Sequence, residues 1–503
     1  MNLAKFKDEP WKTSHPAYEN CNLAMSPAPE YASSEVILSS LYRQIGLKGA
    51  SEGSVPQSGR HLEKEVQRSR NKVTAPVMAV LDANTFNGLL HSVLESPKLP
   101  NQSAKRFVQV TPLVPQAAIF SGSARLSSNS WPAGALVKRM VRIGSPEQAS
   151  ANKLWERLFD ALSVSSNDDI FARFLQEEIG AWSPEPSWEF IPLEAEPGID
   201  EADLHQLNYP AKRFVRDLEA IISAKDAMTR RQWTSLLEAI IRIATVAHIT
   251  WICDVHAGIW DCVRQAIAGN GPSNPEEVRA RLFPASFHYF AYGDKALLGI
   301  KDKTSAFLRA RIGLNAVLWA AQDADYQYAS LSSSQSILDL CAFLQGNAEK
   351  VQQAGLNEAL IEVTERETRT LLCKKGIGSN IMEFARHVLG QRQAANPVLR
   401  GYDQGFALRK KGTSNSSPWV VGLGPVATLA LVHCALYGTN GPRSVKRLTQ
   451  HLAGYGMIID YHDIAKNELG NQLRLLGLVL DSPDAESGML LSPPFATGQE
   501  NIA

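Results

Sequence analysis

The sequence predicts a mainly α protein, with an irregular N-terminal α+β region over residues 1–150, a central helical scaffold domain over 151–395 and a C-terminal winged-helix-like domain over 396–503. Three observations predict it. Apolar residues recur at helical spacing through the middle of the chain. Strand-like stretches are nearly absent from that middle, and the final section reads as three short helices followed by a hairpin.

In the first region, residues 26–60 are rich in Pro, Ser and Gly and read as a loop or arm, interrupted by a helical run near Val36–Ile45. Val73–Leu81 and Arg106–Val114 read as strands, the second continued by Pro115–Ser121. From 151 onward the helical period takes over. Leu154, Trp155, Leu158, Phe159 and Leu162 lie on one stripe, as do Phe171, Phe174, Leu175 and Ile179. A connector, Trp182–Pro197, precedes a capped start at Asp200 and a helix over Glu201–Leu207. Further helices are expected over Ala211–Ala224, Thr229–Ala268 (broken near Gly258), Ser305–Ala321, Ser332–Leu344 and Asn357–Leu372. In the last region Arg400–Lys411 reads as an extended or hairpin segment. Pro425–Tyr437 is an apolar helix with Pro in its first turn, where a missing N–H costs nothing. Ser444–Leu452 and Ile464–Leu476 complete the helices, and Leu478–Leu480 and Met489–Leu491 flank a polar turn over Asp481–Gly488.

Hydrophobic residues make up 44% of the 503 and charged residues 20%, enough apolar material for a sizeable core. Lys plus Arg equals Asp plus Glu at 51 each, so attraction to nucleic acid must come from local clustering. Cys21, Cys253, Cys262, Cys341, Cys373 and Cys434 are scattered through apolar runs without a C-x-x-C pair. They read as buried thiols in a reducing compartment. The N-terminus lacks the apolar core of a signal peptide, and the most apolar stretch, Ile243–Cys253, stops at Asp254. A cytoplasmic location and no membrane contact are the expectations.

The sharpest departure from neutrality lies between Lys374 and Arg447. Eleven basic residues stand there (Lys374, Lys375, Arg386, Arg392, Arg400, Arg409, Lys410, Lys411, Arg443, Lys446 and Arg447) against two acids, Glu383 and Asp403. Phosphate-binding surfaces need such clustering, because each neutralised phosphate releases counterions. Phe384, Tyr402, Phe406 and Trp419 interleave and offer faces for base stacking. Within a helix-turn-helix arrangement Lys466, Asn467, Asn471 and Arg474 would reach a groove, with Arg443, Lys446 and Arg447 on phosphates and Arg400, Arg409, Lys410 and Lys411 beside them. The acidic turn Asp481–Glu486 argues against a wing lying on the backbone. The competing reading is that this unit docks a protein and that the cations are a solvated face.

A second constellation, His248, Cys253, Asp254, His256, Asp261 and Cys262, has the residue types of a metal site. Cys253 and His256 share a helical face, but Cys262 is nine residues from Cys253, half a rotation away. Packing of a buried helix is the competing reading. Lys374–Asn380 has glycines but no glycine-lysine-serine/threonine ending, and Pro425 removes a donor from the Gly422–Pro425 turn. No nucleophile elbow or H-E-x-x-H pair is present. The expectation is a chain with no catalytic residues and no cofactor.

Gly456-Met457-Ile458-Ile459-Asp460, the helix and strand over Leu469–Leu480, and the turn Asp481-Ser482-Pro483-Asp484-Ala485-Glu486-Ser487-Gly488 resemble the tail of the DptG-type subunits of phosphorothioate-dependent restriction. The likeness covers the C-terminal region alone. The family has a Ser-Asp-Ser-Gly-Asp-Ala-like wing, where this chain places Pro483-Asp484-Ala485-Glu486. The resemblance implies a non-catalytic subunit of a multi-protein bacterial anti-phage defence complex, working beside an ATPase/translocase or nuclease. DNA binding through the C-terminal cations is then one expectation. A pure protein scaffold without DNA contact, and a metal-dependent enzyme using the His248–Cys262 segment, are the alternatives.

Overall fold

The computed structural model of the chain describes residues 2–21, 23–25, 37–50, 78–94, 112–120, 133–183, 185–194, 209–283, 287–327, 331, 333–390, 403–412, 417–439, 443–480 and 489–495. Helices dominate these. In chain order they are α1 (Asn2–Asp8), α2 (Ile37–Ile45), α3 (Ala83–Leu94), α4 (Ala133–Gly144), α5 (Gln148–Leu162), α6 (Ile170–Trp182), α7 (Pro210–Ser223), α8 (Arg230–Ile267), α9 (Pro275–Leu282), α10 (Ala296–Asp323), α11 (Ser334–Gly346), α12 (Leu356–Arg366), α13 (Ile377–Gly390), α14 (Pro425–Leu436), α15 (Val445–Ala453), α16 (Tyr461–Ile464) and α17 (Glu468–Leu475). Short helices at Pro16–Glu19, Ala348–Gln353 and Thr368–Leu371 join them.

The architecture is organised around α8. Its start is fixed by a capping box, in which the Thr229 hydroxyl accepts from the Gln232 N–H and the Gln232 side chain accepts from the Thr229 N–H. Its 38 residues pack against α2, α4, α7, α9, α10, α11, α13 and α14. By length and composition alone α8 is able to cross a membrane, yet its apolar window is wholly buried by the other helices. The expected break near Gly258 does not occur. A Cβ there would stand 2.8 Å from the Arg281 carbonyl oxygen, so the missing side chain serves the close approach of α9. Glycine inside a helix costs about 1 kcal/mol relative to alanine, which this packing offsets.

The N-terminal strands expected from the sequence fall partly on residues 73–77 and 106–111, outside the described residues. What is described is not strand. The N–H groups of Val80 and Leu81 donate to the Glu178 carboxylate of α6 at 2.9 Å, which satisfies them without a sheet partner. Residues 112–114 lead directly into a 3-10 turn, Pro115–Ile119. Before residue 290, among the described residues, the extended pairing is a single bridge between Leu47 and Trp188. The expected helix over Glu201–Leu207 lies outside the described residues.

Strands β1 (Phe290–Ala291), β2 (Leu408–Lys410), β3 (Trp419–Val421), β4 (Met457–Ile458), β5 (Val479–Leu480) and β6 (Leu490–Leu491) form three small pairs. β1 runs parallel to β4, while β2–β3 and β5–β6 are antiparallel. Because β1 precedes α10 and β4 follows α15, that parallel pair joins the last section to the helical middle.

One core cluster extends from Leu3 to Leu491, across the compositional boundaries near 150 and 396. A smaller one gathers Phe86, Leu90, Val114, Leu175 and Trp182. Buried polar groups tie the parts together. Asp217 of α7 accepts from Tyr455 Oη at 2.7 Å and pairs with His451 Nε2 at 2.9 Å. Arg230 is almost wholly buried, donating to the carbonyls of Leu113, Leu162 and Ser163 and pairing with Asp168 at 3.3 Å.

Candidate nucleic-acid interface

From Gln404 to Ile459 the chain holds no acidic residue and six of the Lys and Arg noted above. The segment enters as the β2–β3 hairpin, whose root is built from apolar and buried groups. Leu408, Val420 and Val421 turn inward, and the Ala407 N–H donates to the Leu389 carbonyl at the end of α13. Asp403, at the foot of the hairpin, is buried against Arg242 of α8 with two contacts of 2.8 Å, and also accepts from the Gly405 N–H. Arg242 further donates to the Val388 carbonyl. The hairpin is therefore clamped at its base, with Arg409 opposite Val420 at its middle and Lys410 and Lys411 toward its other end.

Those cations differ in what they touch. Arg409 is ion-paired with Glu468, the first residue of α17. Lys410 Nζ lies 5.6 Å from the centroid of the Trp419 ring on the facing strand, an amphipathic pair of cation and aromatic face. Lys411 is exposed, and its N–H donates to the Pro418 carbonyl. Tyr292, bridged to Val421, lies near the Arg409–Glu468 pair; burial and then Glu468 push its phenol up to about 12.

The last unit runs α14, a bridge at Ser444, α15, α16, α17 and the β5–β6 hairpin, with Ser444 bridged to Leu490. Val445, Leu448, His451 and Leu452 bury one side of α15, leaving Lys446 exposed and Arg447 half-buried. Lys446 Nζ stands 6.0 Å from the Tyr461 ring centroid. Arg443 is exposed, and its carbonyl accepts from the Leu491 N–H.

The expected third helix is divided. Asn467 does not lie on it but caps it, its side-chain oxygen accepting from the Gly470 N–H at 3.1 Å. The side-chain oxygen of Asn467, expected to face a groove, is thus engaged in the cap of α17. Arg474 turns back, donating to the Ala465 carbonyl at 3.1 Å and reaching Asn471 Oδ1 at 3.4 Å. Lys466 and Asn471 are exposed. Arg400, Arg392 and Tyr402 lie outside the described residues. Phe384 is buried and offers no stacking face, and Arg386 is paired with Glu383 on its own helix. The structure therefore brings Arg409, Lys410 and Lys411 to one hairpin, beside the start of α17, while Arg443, Lys446 and Arg447 belong to α15 and the chain entering it. Sequence reasoning missed Glu468 and Tyr292. Arg409 and Glu468 are 59 positions apart, and no local spacing signals such a contact.

The His248–Cys262 segment is accounted for by packing. Burial pushes His248 down to about 3, aided by Arg139, and His256 down to about 4, against a 2.8 Å hydrogen bond to the Ile252 carbonyl. Asp254 pairs with Lys303 at 2.6 Å and Asp261 with Arg264 at 2.8 Å, so both face cations. Burial raises the thiol of Cys253. Among the described residues no three His, Cys, Asp or Glu side chains converge as a metal site would require. All six cysteines are buried and free. A polar cleft of about 320 Å³ is lined by Asp168, Lys225 and Arg230, whose polar atoms are engaged in the clamp on the end of α5.

Comparison with protein-family models, with curated proteins and with solved structures finds no match.

Proposed function

We propose that the chain is a non-catalytic helical scaffold that holds DNA by its phosphates, using the β2–β3 hairpin and the neighbouring surface of a C-terminal winged helix. The observation that carries this reading is the acid-free stretch over residues 404–459, whose Lys410 and Lys411 project from a hairpin clamped at its base. The order of α14, the Ser444 bridge, α15, α17 and the β5–β6 hairpin is that of a winged helix and supports the assignment. The resemblance to DptG-type subunits supports a place in a cytoplasmic bacterial defence complex, with an ATPase/translocase or nuclease supplying the chemistry. Free cysteines fit a reducing compartment. Charge reversal of Lys410 and Lys411 together is expected to weaken duplex affinity at least about tenfold at low salt and to flatten the salt dependence by roughly two units in log–log slope. Unchanged affinity and slope in a titration of the folded variant defeat the reading.

A second reading rests on apolar exposure. Leu475 at the end of α17 is 87% exposed, Leu480 on β5 58% and Tyr461 on α16 41%. Exposed apolar side chains that share one surface mark protein-docking sites, and these three lie within twenty residues of one another in the C-terminal segment. Leu475→Asp is expected to release co-purifying subunits while leaving retention on DNA unchanged; loss of DNA retention with the partner still bound reverses the assignment.

A further inference from the structure

Arg409 is the one hairpin cation, among the described residues, that already holds an anion. Its guanidinium meets the Glu468 carboxylate at the start of α17, and the rest of its side chain lies against Gly422. The neighbouring Lys410 and Lys411 have no acidic partner among the contacts of the described residues, so the pairing is selective. Both members remain accessible, with side chains 31% and 55% exposed, and their elements are independently fixed. The hairpin is anchored through Asp403 and Arg242, and α17 through its Asn467 cap and the buried Leu469 and Leu473. The hairpin and α17, each seated by its own buried residues, are thus linked at the surface by an exchangeable ion pair.

We propose that Glu468 is a built-in competitor for the site that Arg409 offers to phosphate. It rests on the DNA reading given above and concerns the regulation of that same surface. The chemistry is a ligand exchange without covalent change: a phosphate oxygen takes the guanidinium N–H groups, and the Glu468 carboxylate returns to water. A half-exposed pair of this kind is weak, so a phosphate presented by a polyanion displaces it, whereas an isolated free anion at low concentration does not. The contact therefore sets a threshold, admitting ligands whose other phosphates are already held by Lys410 and Lys411. Tyr292, whose phenol is pushed up to about 12 by burial and by Glu468, stays a neutral neighbour throughout and adds no charge to the exchange.

The test is a double-mutant cycle on the full chain, with a short fluorescent random-sequence duplex titrated by anisotropy at low ionic strength. Glu468→Gln is expected to tighten binding about three- to fivefold, the range available to a half-exposed ion pair. The same substitution in an Arg409→Gln background is expected to give no gain, because the competition it relieves is no longer present. A gain of equal size in both backgrounds means that Glu468 acts through net charge alone and overturns the proposal, as does the absence of any gain in the wild-type background. The Lys410→Glu, Lys411→Glu variant separates failure of the competitor from failure of DNA binding. If it binds like wild type, the DNA reading fails; if it loses binding while Glu468→Gln changes nothing, only the competitor fails. Thermal melts of each variant confirm that the fold is retained.

Discussion

Acidification from pH 7 to about pH 5 is expected to remove roughly 6 kcal/mol of folding stability through three buried histidines, a tenfold difference in proton affinity between folded and unfolded chain being worth about 1.36 kcal/mol. His15 and His256 are pushed down to about 4 and His248 to about 3, burial being the first cause in each. All three start from an ordinary value of 6.5. Between 6.5 and 4 the unfolded chain binds protons that the folded chain refuses. The stability contributed by keeping these rings neutral is therefore complete above 6.5 and is lost as the pH falls toward the folded values. At pH 5 the folded rings are still neutral, so the loss there depends on the unfolded value and hardly on how far burial lowers the folded one. Domains have about 5–15 kcal/mol in total, and a loss of this size brings the protein close to its unfolding transition. The geometry explains why protonation is resisted. His15 Nδ1 accepts from the Ala17 N–H at 3.1 Å, and neither ring nitrogen of His248 has a partner. Urea midpoints measured at pH 7 and pH 5 decide the matter; equal midpoints mean that these rings are solvated. His248→Phe should remove about 2 kcal/mol of the pH dependence while changing stability at neutral pH much less.

The second large effect is expected at Asp403. Asp403→Ala leaves the Arg242 guanidinium buried without its anion, and breaking a buried pair from one side typically costs about 3–5 kcal/mol. Arg242 is 4% and Asp403 5% exposed, so water does not replace the lost partner cheaply. Replacing both residues with apolar side chains, Arg242→Met with Asp403→Leu, is expected to be far milder, because no uncompensated charge remains. Urea unfolding of the single and double variants reads the difference directly. If the single variant loses less than about 1 kcal/mol, the pair is solvated and the base of the hairpin is not clamped.

The helical class is readable because periodicity and caps act locally. Thr229 and Gln232 announce the start of α8, and Pro425 the start of α14. Local signals mislead where a distant segment decides. Gly258 looks like a break until the Arg281 carbonyl is placed beside it. Lys374–Asn380 has glycines without the ending of a phosphate loop; its first three residues form a turn, and Ile377 begins α13, a helix not foreseen from the sequence. Ile464–Leu476 has one continuous helical period, yet the backbone breaks so that Asn467 caps α17. The strand-like composition around Val80 yields to the carboxylate of Glu178, a partner 98 positions away. At the candidate site the residue types are visible as a charge excess, but their separation into paired Arg409, aromatic-backed Lys410 and exposed Lys411 depends on contacts that composition does not encode.

The attachment of the last unit has a mechanical consequence. Asp217 of α7 grips both His451 and Tyr455, β1 runs beside β4, and the apolar interior is continuous as far as Leu491. Such a unit does not swing on a tether. A load applied at the hairpin travels through Asp403 and Arg242 straight into α8, and the helices packed around it are displaced together. Among the described residues, hairpin and body thus form one stiff object, and a pull at the hairpin is not absorbed between them.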